Sequence, residues 1–174
     1  MGVELPPVMF SAAEQKSGLI LITGPTGSGK TTSMATLIQH INTTSSLHII
    51  TIEDPIEYIF KPEKCIITQR EVGENTSSFA SALHAALRED PDVIVLGEMR
   101  DIESIQGAIQ AAETGHLVFA TLHTRGAVNS IDRIIDVFPA EKQSLLRVEL
   151  SMVITAVMSQ QLIPAADGNG RVLA

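Results

Sequence analysis

Tryptophan is absent from this sequence, tyrosine occurs once, and aromatic residues make up only 3% of the chain. The core must therefore be aliphatic, built from Ile, Leu, Val, Ala and Met. A stacking platform for single-stranded nucleic acid needs aromatic faces, and their scarcity argues against one. Basic residues are outnumbered too, with Lys+Arg 12 against Asp+Glu 20 and a formal net charge of -8. That balance predicts no nucleic-acid partner and confines any anion site to a local feature. A single cysteine, Cys65, excludes an intramolecular disulfide framework and a CxxC zinc knuckle, and fits a reducing compartment. Long apolar runs are missing as well. None approaches the roughly 18 residues of a membrane span, and Met1 to Phe10 lacks the segments of a signal peptide. The expectation is a cytoplasmic chain with no zinc and no direct membrane insertion.

What remains is rich in core-forming residues. Of 174 residues, 44% are hydrophobic and 18% charged, which fits one folded domain and not disorder. Short apolar runs alternate with helical patterns. Leu19–Thr23, Leu47–Ile52, Val93–Leu96 and Leu117–Thr121 read as buried strands. Thr31–Asn42 and Ser78–Glu89 carry apolar stripes spaced by three and four, and Asp101 can cap a helix bearing Ile102, Ile105 and Ile109. Val128, Ile131, Ile134 and Ile135 mark a further helix, and Pro139 suits the start of a long one reaching about Met158. Gln160–Ile163 reads as a fifth strand, and Asp167-Gly168-Asn169-Gly170 as a hairpin turn into Arg171–Leu173. Strands apolar at every position need cover on both faces. Helices between them predict an α/β fold with a mostly parallel sheet. Residues 1–17 form a helix-like stub, and both ends look cut from a longer chain.

Chemistry enters at Gly24-Pro25-Thr26-Gly27-Ser28-Gly29-Lys30-Thr31, which matches G-x-x-x-x-G-K-[ST] between a strand and a helix. Glycines let such a loop turn its backbone N–H groups inward around an anion. The following helix adds its positive N-terminal end. Lys30 can reach the β- and γ-phosphates of a nucleotide, and the Thr31 hydroxyl can ligate Mg²⁺. A dinucleotide fingerprint fails, because Thr32 stands at its third glycine position.

Hydrolysis needs more than a cradle: a group to activate water, a metal shell and a contact to the γ-phosphate. In α/β sheets such groups collect at the carboxyl ends of strands. Three predicted strands end suitably, in Glu53-Asp54-Pro55-Ile56-Glu57, in Gly97-Glu98-Met99-Arg100-Asp101 and in Thr121-Leu122-His123-Thr124. Glu53 and Asp54 also suit the capping of a turn at Pro55. Glu57 also reads as an exposed loop carboxylate. His40, His48 and His84 are assigned to surface or packing.

These four segments, with Gly115-His116 leading into the fourth, resemble the Walker A, Asp box, Walker B and His box of the type II/IV secretion ATPases. The phrases Ala86 to Asp92 and Ala111 to Phe119 resemble the pilus-retraction branch of that family. The likeness runs from about Gly18 to Leu173. It implies a RecA-like P-loop ATPase that uses ATP and Mg²⁺, with the loop residues Gly24 to Thr32 around the nucleotide. It implies Glu57 as the base that activates water, Glu98 as the Walker B carboxylate near Mg²⁺, and His123 as the contact to the γ-phosphate. His116 would support the site, although it opens its strand at the end away from the chemistry. The wider RecA-like pattern ends its third strand in Asp-Glu, whereas this chain has Gly97-Glu98. From the residues alone, Glu98 as base or as metal-side group stays open; the family shares the departure, which favours Glu57 as base.

The resemblance also implies partners. Family members act as homo-hexamers on pilus machinery at the cytoplasmic face of the inner membrane. Assembly-type members carry a four-cysteine zinc insertion; here Gln161-Leu162-Ile163-Pro164 passes straight on, which favours retraction. The family's N-terminal domain and C-terminal helices do not fit in this chain. Arg88, Arg100, Arg125 and Arg133 are candidates for an arginine acting on a neighbouring subunit. A nucleotide-binding scaffold with negligible hydrolysis is the alternative, and a DNA translocase is disfavoured by charge.

Overall fold

Gly18–Thr23 forms β1, and all of its residues are buried. The computed structural model describes residues 5–166 and 170–174. Ahead of β1, Pro7–Ala13 forms a short helix, α1, with Met9, Ala12 and Ala13 buried. After the phosphate loop comes α2, Lys30–Thr44. Then follow β2 His48–Glu53, β3 Ile66–Glu71, α3 Phe79–Ala86, β4 Val93–Leu96, α4 Ile102–Glu113 and β5 Leu117–Leu122. The chain closes with α5 Ala127–Asp136, α6 Ala140–Val153, β6 Ile154–Ser159, β7 Leu162–Pro164 and β8 Arg171–Leu173.

Six strands make one sheet in the order β3-β2-β4-β5-β1-β6, and every pairing in it is parallel. The twofold alternation of side chains explains why the central strands are apolar throughout. Leu19, Leu21, Ile50, Ile52, Ile94 and Leu96 face the helices α3 to α6. Ile20, Ile22, Ile49, Val93, Val95 and Phe119 face α1 and α2. The N-terminal stub is part of this second layer: Phe10 meets the ring of His40 edge-on at 5.0 Å.

Two helices are started by the residues that the sequence marks for it. Asp101 accepts from the Ser104 N–H at 2.7 Å while the Ser104 hydroxyl meets the Asp101 N–H, a reciprocal cap. Ser78 and Ser81 do the same for α3.

Three readings of the sequence are corrected. The helix after Pro139 stops at Val153, and Ile154–Ser159 is not its last turn but a sheet strand paired with β1. Ile154, Val157 and Met158 imitate helical spacing. The β-branched Ile154, Thr155 and Val157 fit a strand better, and the open edge of β1 offers backbone partners. Gln160 and Gln161 lie outside any strand; Leu162–Pro164 pairs antiparallel with Arg171–Leu173 as a separate hairpin. Of its expected turn, Asp167, Gly168 and Asn169 lie outside the described residues. Finally, β3 has no counterpart among the expected strands. It is an edge strand, half exposed and polar over Thr68 to Glu71, so it carries no apolar run.

Candidate functional site

Parallel pairing brings the carboxyl ends of β1, β2, β4 and β5 to one edge of the sheet, and register sets their levels. Thr23 stands beside Leu122, Leu96 beside Ile52 and Leu96 beside Ala120. The residues that follow each strand therefore converge. Lys30, Glu53, Glu57, Glu98, Arg100 and His123 line one cleft of about 450 Å³.

The loop after β1 is shaped by close approach. At Gly24 (φ 151°), a Cβ would come within 2.3 Å of the Gln160 carbonyl oxygen and 2.6 Å of the Ser28 hydroxyl. Gly29 (φ 86°) is left-handed and caps the start of α2. Lys30 folds back over its own loop. Its Nζ donates to the Gly24 carbonyl at 3.0 Å and the Pro25 carbonyl at 3.2 Å, and lies 3.4 Å from His123 Nδ1. Burial lowers the pKa of this ammonium; Glu98 and Glu57 pull it back up. This leaves a partly desolvated cation at the loop, the charge that a phosphate group would meet. Thr26 is exposed at the loop tip with its hydroxyl 3.4 Å from His123 Nδ1. Gly27 lies at the tip too, Ser28 is buried, and Thr31 and Thr32 begin α2 beside the cleft.

The far wall is a charged relay. Glu98 accepts from Arg100 Nε at 2.7 Å, and its other oxygen lies 3.3 Å from His123 Nε2. Arg100 also approaches Asp54 at 3.9 Å. The hydrogen bond to Glu98 holds the Arg100 guanidinium more firmly protonated than usual. One histidine ring thus spans Lys30 and Glu98. Glu53 is held apart from this chain by Thr51 Oγ1 at 2.6 Å and Gln69 Nε2 at 3.3 Å. The glycine at 97 has a steric reason: a Cβ there would sit 3.2 Å from the Glu53 Cα. A carboxylate at 97 would press on Glu53 with like charge.

Glu57 is exposed at the rim of the cleft and close enough to Lys30 to act on its titration. His116 is not brought into the cleft. β5 runs parallel to β1, so its entry lies at the opposite edge of the sheet. There His116 Nδ1 stands 2.9 Å from the Ala111 carbonyl and 3.1 Å from Thr114 Oγ1. Among the candidate arginines only Arg100 lines the cleft. Cleft residues to which the sequence reading gave no functional role include Leu162, from the hairpin, and Thr121, whose hydroxyl donates to the Gly97 carbonyl.

Comparison with known proteins agrees with this fold. Residues 6–172 match the family described as type II/IV secretion system protein. A twitching motility protein of Neisseria gonorrhoeae is 55% identical over 170 residues, covering 98% of this chain and 46% of that protein. The type IV pilus retraction ATPase PilT of Pseudomonas aeruginosa is 55% identical over 157 residues, covering 90% of this chain and 45% of that one. A crystal structure of the pilus retraction motor PilT with bound ADP superposes with a TM-score of 0.96 at 58% identity, covering 99% of this chain and 50% of that one. The chain thus spans about half the length of the relatives it matches.

Proposed function

The chain belongs to the type II/IV secretion system protein family, and from that premise we propose that its cleft binds ATP with Mg²⁺ and hydrolyses it to ADP and phosphate. What supports this reading is the convergence of Lys30, Glu57, Glu98 and His123 around one phosphate loop. The loop N–H groups and Lys30 hold the β- and γ-phosphates. Glu57 takes a proton from water as the water oxygen bonds to the γ-phosphorus. The bond to the bridging oxygen breaks, and its electron pair leaves on ADP. His123, already beside Lys30, contacts the γ-phosphate. The Thr31 hydroxyl and the Glu98 carboxylate are hard oxygen donors lining the cleft, and suit Mg²⁺. When bound, such an ion neutralises charge on the phosphates.

The likeness to a twitching motility protein and to a pilus retraction ATPase supports a wider role. In it, the whole protein works as a homo-hexamer that drives type IV pilus retraction, held by pilus machinery at the cytoplasmic face of the inner membrane. No helix among the described residues is long and apolar enough to cross a membrane.

The assignment of the base has a direct test. Glu57→Gln should lower the turnover number by about 10²–10⁴ while nucleotide affinity stays near wild type. Normal turnover with weakened binding would make Glu57 a binding residue instead.

A further inference from the structure

Gln160 follows β6 and belongs to none of the four motifs, yet it touches the phosphate loop at both ends. Its backbone N–H donates to the Thr23 carbonyl, where the loop begins, at 2.8 Å. Its side-chain Nε2 donates to the Ser28 carbonyl, near where the loop ends, at 2.7 Å. Its own carbonyl is the atom that forbids a side chain at Gly24. The residue is 3% exposed.

We infer that Gln160 is a positioning residue that aims the Ser28–Gly29 peptide at the bound phosphate. In a trans peptide the C=O and N–H point in opposite directions. Drawing the Ser28 carbonyl toward Gln160, behind the loop, turns the Gly29 N–H toward the concave side, where an anion would sit. Stability alone gives little reason for an amide here. Gln160 Oε1 is buried without a hydrogen-bond partner among the described residues. An unpaired buried acceptor costs at least as much as one neutral hydrogen bond returns. An apolar side chain of the same length would serve packing as well. The donor is therefore explained by the loop that it holds.

The segment also ties the loop to the rest of the cleft edge. Ser159 Oγ accepts from the Gly126 N–H at 2.9 Å, and Leu162, two residues after Gln160, lines the cleft. Gln160 thus joins the phosphate loop to the segment between β6 and the C-terminal hairpin.

The inference rests on the nucleotide reading, and the test separates the two. Gln160→Met keeps length and packing but removes the donor. Gln160→Glu keeps the shape but sets a carboxylate oxygen against the Ser28 carbonyl. ADP affinity, thermal unfolding without nucleotide, and the phosphorus NMR resonance of the bound β-phosphate are measured for each. The expected result is that Gln160→Met unfolds at the wild-type temperature or above. It should bind ADP about three- to tenfold more weakly, the worth of one such hydrogen bond, with a displaced β-phosphate resonance. Gln160→Glu should bind more weakly still. Wild-type affinity and resonance in Gln160→Met overturn the inference and leave the nucleotide reading intact. Loss of affinity that follows only a lowered unfolding temperature, with the resonance unmoved, also overturns it. A wild-type chain that binds no ADP refutes both.

Discussion

Gly24 carries more of the site than its size suggests. It lies where β1 ends, pressed against Gln160 and Ser28, and its carbonyl receives Lys30. An added methyl group has backbone on one side and a buried hydroxyl on the other, so the loop must move. Gly24→Ala should lower stability by about 1–3 kcal/mol and abolish nucleotide binding; calorimetric unfolding and ADP titration check both effects. Normal binding in this variant would mean the loop relaxes freely. Much of the site at this scale was legible in the sequence. Lys30, Glu98 and His123 follow strands whose apolar runs are plain, and parallel pairing does the rest. Glu57 was legible only through the resemblance, because nothing in an exposed carboxylate announces a base. Gln160 was not legible at all. Its meaning lies in hydrogen bonds to Thr23 and Ser28, far away in sequence.

Elements with a local signal were the readable ones. β1, β2, β4 and β5 are buried runs, and α4 announces its start through Asp101. That cap also fixes the peptide immediately after Arg100, so it holds the end of the Glu98–Arg100 wall. Asp101→Ala should cost about 0.5–2 kcal/mol of stability; an unfolding midpoint equal to wild type would deny the cap its role. Elements decided by tertiary pairing were misread or missed. β6 looks helical by spacing, and becomes a strand because β1 has a free edge. β3 is polar and half exposed, and exists because β2 pairs with it along its whole length. Local pattern carries no record of either partner.

At the scale of the molecule, two core layers grip one parallel sheet, and the carboxyl edge of that sheet gathers the polar residues. The aromatic poverty is consistent with this build: among the described residues, Phe119 is the only aromatic one in the set of largest fully buried side chains, and Ile and Leu fill the rest. The acidic balance of the whole leaves the side-chain positive potential of the cleft to Lys30, held on loop carbonyls, and Arg100, paired with Glu98. The twitching motility protein and PilT are about twice as long, and the proposed hexamer would set a neighbouring subunit beside the cleft. Arginines lent across such a boundary raise phosphoryl-transfer rates by roughly 10³–10⁵, so turnover per subunit should rise with protein concentration as subunits associate.

The most direct test of the central claim is phosphate release from ATP and Mg²⁺, followed across protein concentration for the wild type and for Lys30→Ala. Wild-type turnover should climb with concentration, and Lys30→Ala should show none at any concentration. Turnover retained in Lys30→Ala, or a wild type that releases no phosphate throughout the range, would contradict it.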